Sequence, residues 1–481
     1  MRHDRLFLAW FFALVLGGVL SWSQSTPLVL SGGTIVDLTN WGKSANDLHD
    51  SVVIIHDGKI TDVGPRSTVV VPKGARIIDC TGKFIIPGLI DGFAGMAGQA
   101  EANANLYMGV TTVVASSDDR RGHVDLHADP SPHIYLLDSI GIADDWSLLA
   151  TQPAWKDKLH EGPRPAELDP QDTLRQLADT AKLGTRVLWL GPNLTAANTQ
   201  LVVARAHQMG IVTYGEFAST PYRVGIEAGV DALLHMGRYE LGVIPDELQR
   251  PLVDDPLGSA ATTALDYSER LPPTDTHVRA YAKFVAAHHA ALMPTFSIYY
   301  QQLPDHRNLW NEPAAALLDP VRMFNPPNRE TGELDYPISN WAHHLPAMSQ
   351  RWMEEGQRKK ADQSAMRLWR INEVFFAADP HYLAASGAPV SGAFPGISMH
   401  TELEMLVRLG LTPREALAAA TSNYAMQFNW NELGLIAPGR RADIIVLDGD
   451  PSATAWNVRR IANLIVDGNV LDREALLTLK K

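Results

Sequence analysis

The segment FIIPGLIDGFAGMAGQ (residues 84–99) marks the change of architecture in this chain. Its first half is an apolar, β-branched run of strand length, and residues 84–91 read as one buried strand. Upstream, LVLSGGTIVDLTN, SVVIIHDGKITDVGP and ARIIDCTGKFIIPG are short β-branched runs broken by Gly, Asp and Asn, the pattern of hairpins and small sandwiches. From about residue 87 the style changes, and short apolar strands alternate with helical stretches.

Seven such strands follow the first: residues 110–116, 133–140, 186–191, 210–217, 230–237, 291–298 and 382–389. Amphipathic patterns such as DTLRQLADTAKLG and TQLVVARAHQMG lie between them. Eight buried strands with intervening helices predict an α/β fold, a (β/α)8 TIM-like barrel over residues 87–430. At the other end, LGLIAPGRRADIIVLDGDP and RRIANLIVDGNVLD return to the hairpin style. The two β-rich ends, 26–86 and 431–481, are therefore expected to meet in one small composite β-sandwich. Residues from about 299 to 362 fit no strand–helix unit. They are rich in Pro, Asn, Trp and His and read as a loop insertion forming a lid or pocket wall.

Apolar residues make up 46% of the 481 and charged residues 20%, the balance of a globular protein with a sizeable core. A formal charge of −13 argues against nucleic acid, whose phosphates would repel it. Arg2 and Arg5 precede the apolar run LFLAWFFALVLGGVL (6–20), and Ser21 and Ser23 follow it. Residues 1–25 thus read as a signal peptide, with an uncleaved anchor as the rival, and the protein as exported, periplasmic or secreted. Beyond this segment no membrane span is expected. Cys80 is the only cysteine, so a disulfide framework is excluded.

Several motifs in combination carry a family. SGGTIVD, VVIIHDGKITDVGP, RIIDCTGKFIIPGLID, MGVTTVVASSD, EAGVDALLHMG, GISMHTELEMLVRLGLTPREALAAATSN and LGLIAPGRRADIIVLDGDP together resemble the amidohydrolase superfamily, in the style of its imidazolonepropionase-like and prolidase-like members. The resemblance spans nearly the whole chain after the targeting segment. It implies a hydrolase acting on carbon–nitrogen bonds, with one or two divalent metals at the C-terminal mouth of the barrel. The implied ligands are His-x-His on strand one, often a carboxylated Lys on strand four, His on strands five and six, and Asp on strand eight. Such a metal lowers the pKa of bound water and polarises the carbonyl, while the Asp takes the proton.

This chain departs from that set. Phe93 and Gly95 stand in place of the strand-one histidines, Trp189 in place of the lysine, Glu216 in place of the strand-five histidine and Gly387 in place of the aspartate. His235 alone is kept. A catalytic zinc site ordinarily takes three protein ligands. Glu216 and His235 offer two, so no cofactor is expected, the alternative being a divalent metal such as zinc at a degenerate site. A hydrogen-bonded Glu216–His235 pair is the preferred reading. Phe93 and Trp189 either line a ligand pocket or plug the core, and His400 is expected to line the pocket. Asp91 reads as a strand-end carboxylate bound to backbone or Arg. His123, His127 and His133 in RGHVDLHADPSPH invite a metal reading but read as a solvated Pro-rich loop, and His343 and His344 in the insertion read likewise. SSDD (116–119) reads as well as a helix cap as a mouth residue cluster.

Two functions follow. The first is an amidohydrolase-fold protein with a dismantled metal centre, binding a small molecule or a homologous subunit. The alternative is an active amidohydrolase or dipeptidase-like enzyme with Glu216 as base and His235 as acid or electrophile.

Overall fold

The computed structural model describes residues 26–116, 123–140, 169–192, 194–254, 259–268, 270–323, 326–334, 357–390 and 392–478. Residues 1–25, expected to be a signal peptide, Ser117–Asp119 of the SSDD run, His343 and His344 lie outside them. Among the described residues no helix is long and apolar enough to cross a membrane.

The terminal segments build one eight-stranded mixed sheet. From the N-terminal side come β1 (Leu28–Ile35), β2 (Leu48–His56), β3 (Lys59–Pro65), β4 (Arg76–Asp79) and β5 (Phe84–Pro87); from the C-terminal side come β13 (Ile444–Leu447), β14 (Ile461–Val466) and β15 (Asn469–Leu471). The order is β15-β14-β13-β5-β1-β2-β3, with β4 also on β1. The two ends join where β13 runs antiparallel to β5, from Ile444 opposite Pro87 to Leu447 opposite Phe84. The Asp-Gly turns are legible hairpin signals: Asp57–Gly58 and Asp467–Gly468 both hold positive φ at both positions, as the tight two-residue turn demands. The expected sandwich is thus a single shared sheet.

The barrel strands are β6 (Leu89–Ala94), β7 (Val110–Ser116), β8 (His133–Ile140), β9 (Val187–Leu190), β10 (Val212–Gly215), β11 (Ala232–Leu234) and β12 (Ala291–Met293), parallel and paired in chain order. Both faces of each are buried, so the sequence shows continuous apolar runs rather than alternation. The alternation exists nonetheless. Val187 and Trp189, Val212 and Tyr214, Ala232 and Leu234, and Ala291 and Met293 point into the barrel, while Leu188, Leu190, Leu233 and Leu292 face the surrounding helices.

Two strand boundaries differ from the sequence expectation. The run 84–91 is not one strand: it breaks at Gly88, with β5 in the terminal sheet and β6 in the barrel. A Cβ at Gly88 would lie 2.0 Å from Thr111 Oγ1, and its N–H donates to Asp443 O at 2.9 Å, so chain from three parts of the protein meets there. The eighth stretch, 382–389, is not a regular strand. It touches β12 through a Leu292–Tyr382 bridge and β6 through Gly387 N to Phe93 O (2.8 Å) and Gly95 N to Ala388 O (2.8 Å). Those bonds close the ring. In the insertion, the described residues form short 3-10 turns such as Leu309–Asn311 and Pro313–Leu317, and the helix Gln357–Phe376 begins before residue 362.

Closure also explains one glycine in the opening motif. Gly92 has no room for a side chain: a Cβ would sit 1.7 Å from Tyr424 Oη and 2.4 Å from Met293 Cε. Tyr424 Oη in turn donates to Ala384 O at 2.6 Å. Gly92→Ala is expected to destabilise the protein by about 1–3 kcal/mol, the usual cost of overpacking. Adding Tyr424→Phe, which removes the obstructing oxygen and by itself costs about 1 kcal/mol, should restore part of the loss. Thermal unfolding of the two single variants and the double variant measures the coupling.

Candidate active site at the barrel mouth

The C-terminal strand ends bring four of the sequence-predicted residues together. Phe93 turns inward because the β6–β7 register slips between Asp91 and Ala94. Its ring stands edge-on to Trp189 at 5.1 Å and to His235 at 5.3 Å. Both rings are buried. Glu216 follows β10, its N–H bound to Leu190 O at 2.9 Å, and is 6% exposed. His235 follows β11 with φ +60°, and Thr295 follows β12 with φ +50°.

The polar contacts have a readable order. Thr295 Oγ1 donates to Pro294 O at 2.7 Å. Its lone pair therefore accepts from His235 Nδ1, 2.8 Å away, which places the proton on Nδ1. His235 Nε2 then faces Glu216 Oε2 at 3.7 Å, beyond hydrogen-bonding reach. The closer partner of Glu216 is Arg238, whose Nε lies 2.9 Å from Oε1. The expected Glu216–His235 pair is thus an ion pair between Glu216 and Arg238 with His235 beside it. Burial pushes the Tyr299 phenol up to about 12, against the lowering effect of Arg238, so it stays protonated.

Gly95 and Gly387 lie at the seam between the first and eighth segments rather than offering donors. Gly387 has φ +68°, and a Cβ there would lie 2.7 Å from Ile298 Cγ2, so the position does not accommodate a carboxylate without movement. Asp91 is buried and accepts from the backbone N–H of Phe93 (3.3 Å) and of Ser386 (2.9 Å). His400 is not brought to this cluster. Its ring is buried with Nε2 donating to Met108 O at 2.7 Å, which docks the helix Ile397–Leu409 on the end of the helix Gln99–Tyr107. His123 and His127 are exposed and lie in coil.

Sequence reading missed Arg238, Thr295 and the buried carboxyl of Glu402. Arg238 stands three residues after His235, a spacing that places it one turn on. Glu402 sits two residues after His400 in GISMHTELE. Its Oε2 accepts from the N–H of Ser297 (2.8 Å) and lies 3.0 Å from Ser297 Oγ. Burial raises its pKa to about 8 despite those bonds.

A second cluster lies at the opposite end of the strands. His133 opens β8, Asp443 precedes β13 and Asp467 follows β14, and their ligand atoms lie within 4.8 Å of one another. His133 Nε2 is 3.3 Å from Asp443 Oδ1 and 3.4 Å from Asp467 Oδ2. Arg441 Nε holds the other Asp443 oxygen at 2.5 Å. Burial works to raise the Asp443 pKa, but His133 and Arg441 outweigh it and keep the carboxyl below its usual range. Among the described residues this is the group of three donors able to share a metal ion, so the expectation of no metal does not extend to this joint between barrel and terminal sheet. The sequence offers His133 as a metal candidate but reads it as solvated loop; it instead opens β8, and its partners Asp443 and Asp467 lie more than 300 residues further on, too far for any local spacing to show.

A parallel barrel with polar groups at its C-terminal strand ends, completed by one sheet from both chain ends, defines a TIM-like barrel with a composite terminal sheet. Residues 359–471 match the family model described as the amidohydrolase family. It is 44% identical over 63 residues to adenine deaminase 2 of Agrobacterium fabrum, covering 13% of this chain and 11% of that enzyme. It is 32% identical over 111 residues to imidazolonepropionase of Geobacillus kaustophilus, covering 20% of this chain and 26% of that enzyme. The chain thus matches 26% or less of the length of these curated relatives. The fold is similar to that of molinate hydrolase, with a TM-score of 0.61 at 15% identity over 95% of this chain and 98% of that one.

His400 and Glu402 give stability opposite pH dependences. Burial, aided by the positive field of Arg459, lowers the His400 pKa from 6.5 to about 3. Between those values the unfolded chain takes up a proton that the folded chain refuses, so stability falls as pH drops from 6.5 toward 3. Glu402 keeps its proton to about 8 when folded, against 4.5 when unfolded, so stability falls as pH rises from 4.5 to about 8. Each limb has a slope of at most roughly 1.4 kcal/mol per pH unit. Thermal melts from pH 4 to 9 should show the acid limb flattened by His400→Gln and the alkaline limb flattened by Glu402→Gln.

Proposed function

We propose that this protein is a ligand-binding member of the amidohydrolase lineage whose barrel mouth works through an ion pair instead of a metal. One observation carries the reading: Arg238 Nε lies 2.9 Å from Glu216 Oε1. A guanidinium on the only carboxylate that replaces a family ligand neutralises that carboxylate and repels a dication. Phe93, Trp189 and Gly387 supply no donor side chain where the resemblance implies ligands, and the two buried rings take up space beside His235. The residues therefore do not fit a divalent metal at the mouth. The chain is proposed to act in the exported compartment that residues 1–25 suggest, on a small molecule or with a homologous subunit.

The tautomer of His235 favours a second reading. With the proton on Nδ1, Nε2 is the basic nitrogen and faces Glu216. That geometry suits a proton acceptor in hydrolysis of a C–N bond, the chemistry that the family resemblance implies.

The test is metal content and turnover on the same sample. Protein exchanged through zinc and desalted is expected to show no turnover of cyclic amides or dipeptides. Any zinc it retains should be lost in His133→Ala and kept in His235→Ala. Stoichiometric zinc that disappears with Glu216→Gln, together with turnover, overturns the ligand-binding reading.

A further inference from the structure

We propose that His133, Asp443 and Asp467 form a structural zinc site that pins the barrel to the terminal sheet. The site stands apart from the mouth, at the opposite end of the strands. His133 opens the barrel strand β8, whereas Asp443 precedes β13 and Asp467 follows β14 in the terminal sheet. Their three ligand atoms lie within 4.8 Å of one another. His133 Nε2 is 3.3 Å from Asp443 Oδ1 and 3.4 Å from Asp467 Oδ2. Both separations are long for a charge-assisted N–H···O bond, which spans about 2.7–2.9 Å. Two ligand atoms on a tetrahedral zinc, with bonds of about 2.0–2.2 Å, stand about 3.3–3.6 Å apart. The observed spacing is that of ligands sharing an ion. A single Nε2–H, moreover, points along one line and cannot serve two carboxylates fully, whereas a cation takes a lone pair from each of the three groups.

The neighbouring groups hold these ligands in place. Arg441 donates from Nε to Asp443 Oδ2 at 2.5 Å and from Nη2 to Thr112 Oγ1 at 2.9 Å. This leaves the other oxygen of Asp443, Oδ1, toward His133. The backbone N–H of Asp467 donates to that Oδ1 at 3.0 Å, and Gly468 N donates to Ala442 O at 3.0 Å, so the Asp467–Gly468 turn is tied to the segment that carries Asp443. Ligating carboxylates are ordinarily fixed by such outer bonds. Charge favours a cation as well. Two carboxylates meet one guanidinium here, which leaves one negative charge over beside a neutral imidazole, whereas at the mouth Glu216 and Arg238 cancel. The Asp443 side chain is 7% exposed and that of Asp467 53%, so the ion has a dry wall on one side and an entrance on the other. Water completes the fourth position from that entrance. An imidazole with two carboxylates suits zinc better than calcium or magnesium, which take oxygen ligands. Because the ligands meet only when β8 and the terminal sheet are joined, binding stabilises their union.

The experiment titrates zinc alone into the full, tag-free protein after chelator treatment, by calorimetry and by thermal melting. Saturable zinc binding that raises the melting temperature is expected. Asp467→Asn, a change at an exposed carboxylate, should weaken zinc binding at least tenfold and remove most of the thermal shift. His133→Gln should abolish both, and His235→Ala should leave both unchanged. Melting curves without zinc identify any variant that fails to fold, and Asp467→Asn carries the test if His133→Gln does. Absence of saturable zinc binding overturns the proposal and leaves a plain contact between a histidine and two aspartates. Binding that survives both His133→Gln and Asp467→Asn, or that leaves the melting temperature unchanged, overturns it too. Zinc lost with Glu216→Gln but kept with His133→Gln puts the ion at the mouth and overturns the ligand-binding reading as well.

Discussion

Asp91 is a buried carboxylate that accepts from the backbone of both the first and the last segment of the barrel. Burying a carboxyl is costly unless it is hydrogen-bonded, and here the N–H groups of Phe93 and Ser386 both meet Oδ1. Regular strand pairing is lacking just where Asp91 stands, because residues 382–389 do not form a full ladder. The carboxylate takes the place of missing sheet bonds. The polar chain continues outward: Ser297 Oγ donates to Ser386 O at 2.8 Å and also binds Glu402, reaching the helix beyond. Phe93 follows Asp91 by two residues, so the ring against which His235 and Trp189 pack is placed by the same closure.

Much of this was legible from residue order. Period and punctuation predicted the barrel, the hairpin-rich ends and their union. The family resemblance, rather than strand parity, brought Phe93, Trp189, Glu216 and His235 to one end; parity fails for Phe93, which faces inward with Ile90 three residues earlier only because of the register slip. The break at Gly88 was not legible, since FIIPGLID is apolar throughout and only contact with Thr111 reveals that two sheets divide it. His400 was legible as important but not as to place: which side of a helix faces a pocket depends on the helix's rotation, and here it faces Met108. Arg238 and Thr295 acquire meaning only as partners, of Glu216 and His235, and partnership across strands leaves no local signature.

Three neighbouring segment ends, His235, Thr295 and Gly387, all adopt positive φ. For glycine this is free, but for histidine and threonine it is unfavourable, by roughly 1–2 kcal/mol each. The two residues that bear this strain are the ones joined by the 2.8 Å contact that sets the imidazole tautomer. Surrounding packing must hold them there, and the buried barrel interior beneath them supplies it.

The pairing of β5 with β13 has a consequence for how the chain comes into being. Pro87 meets Ile444, more than 350 residues later. At about 10 residues per second, ribosomal synthesis leaves β5 without this neighbour for on the order of half a minute. During that interval the first five strands present an open apolar edge, the kind of edge that invites pairing with other chains. Completion of the sheet is therefore a late event, and whatever accompanies the nascent chain must shield a half-built sheet until its last strands arrive.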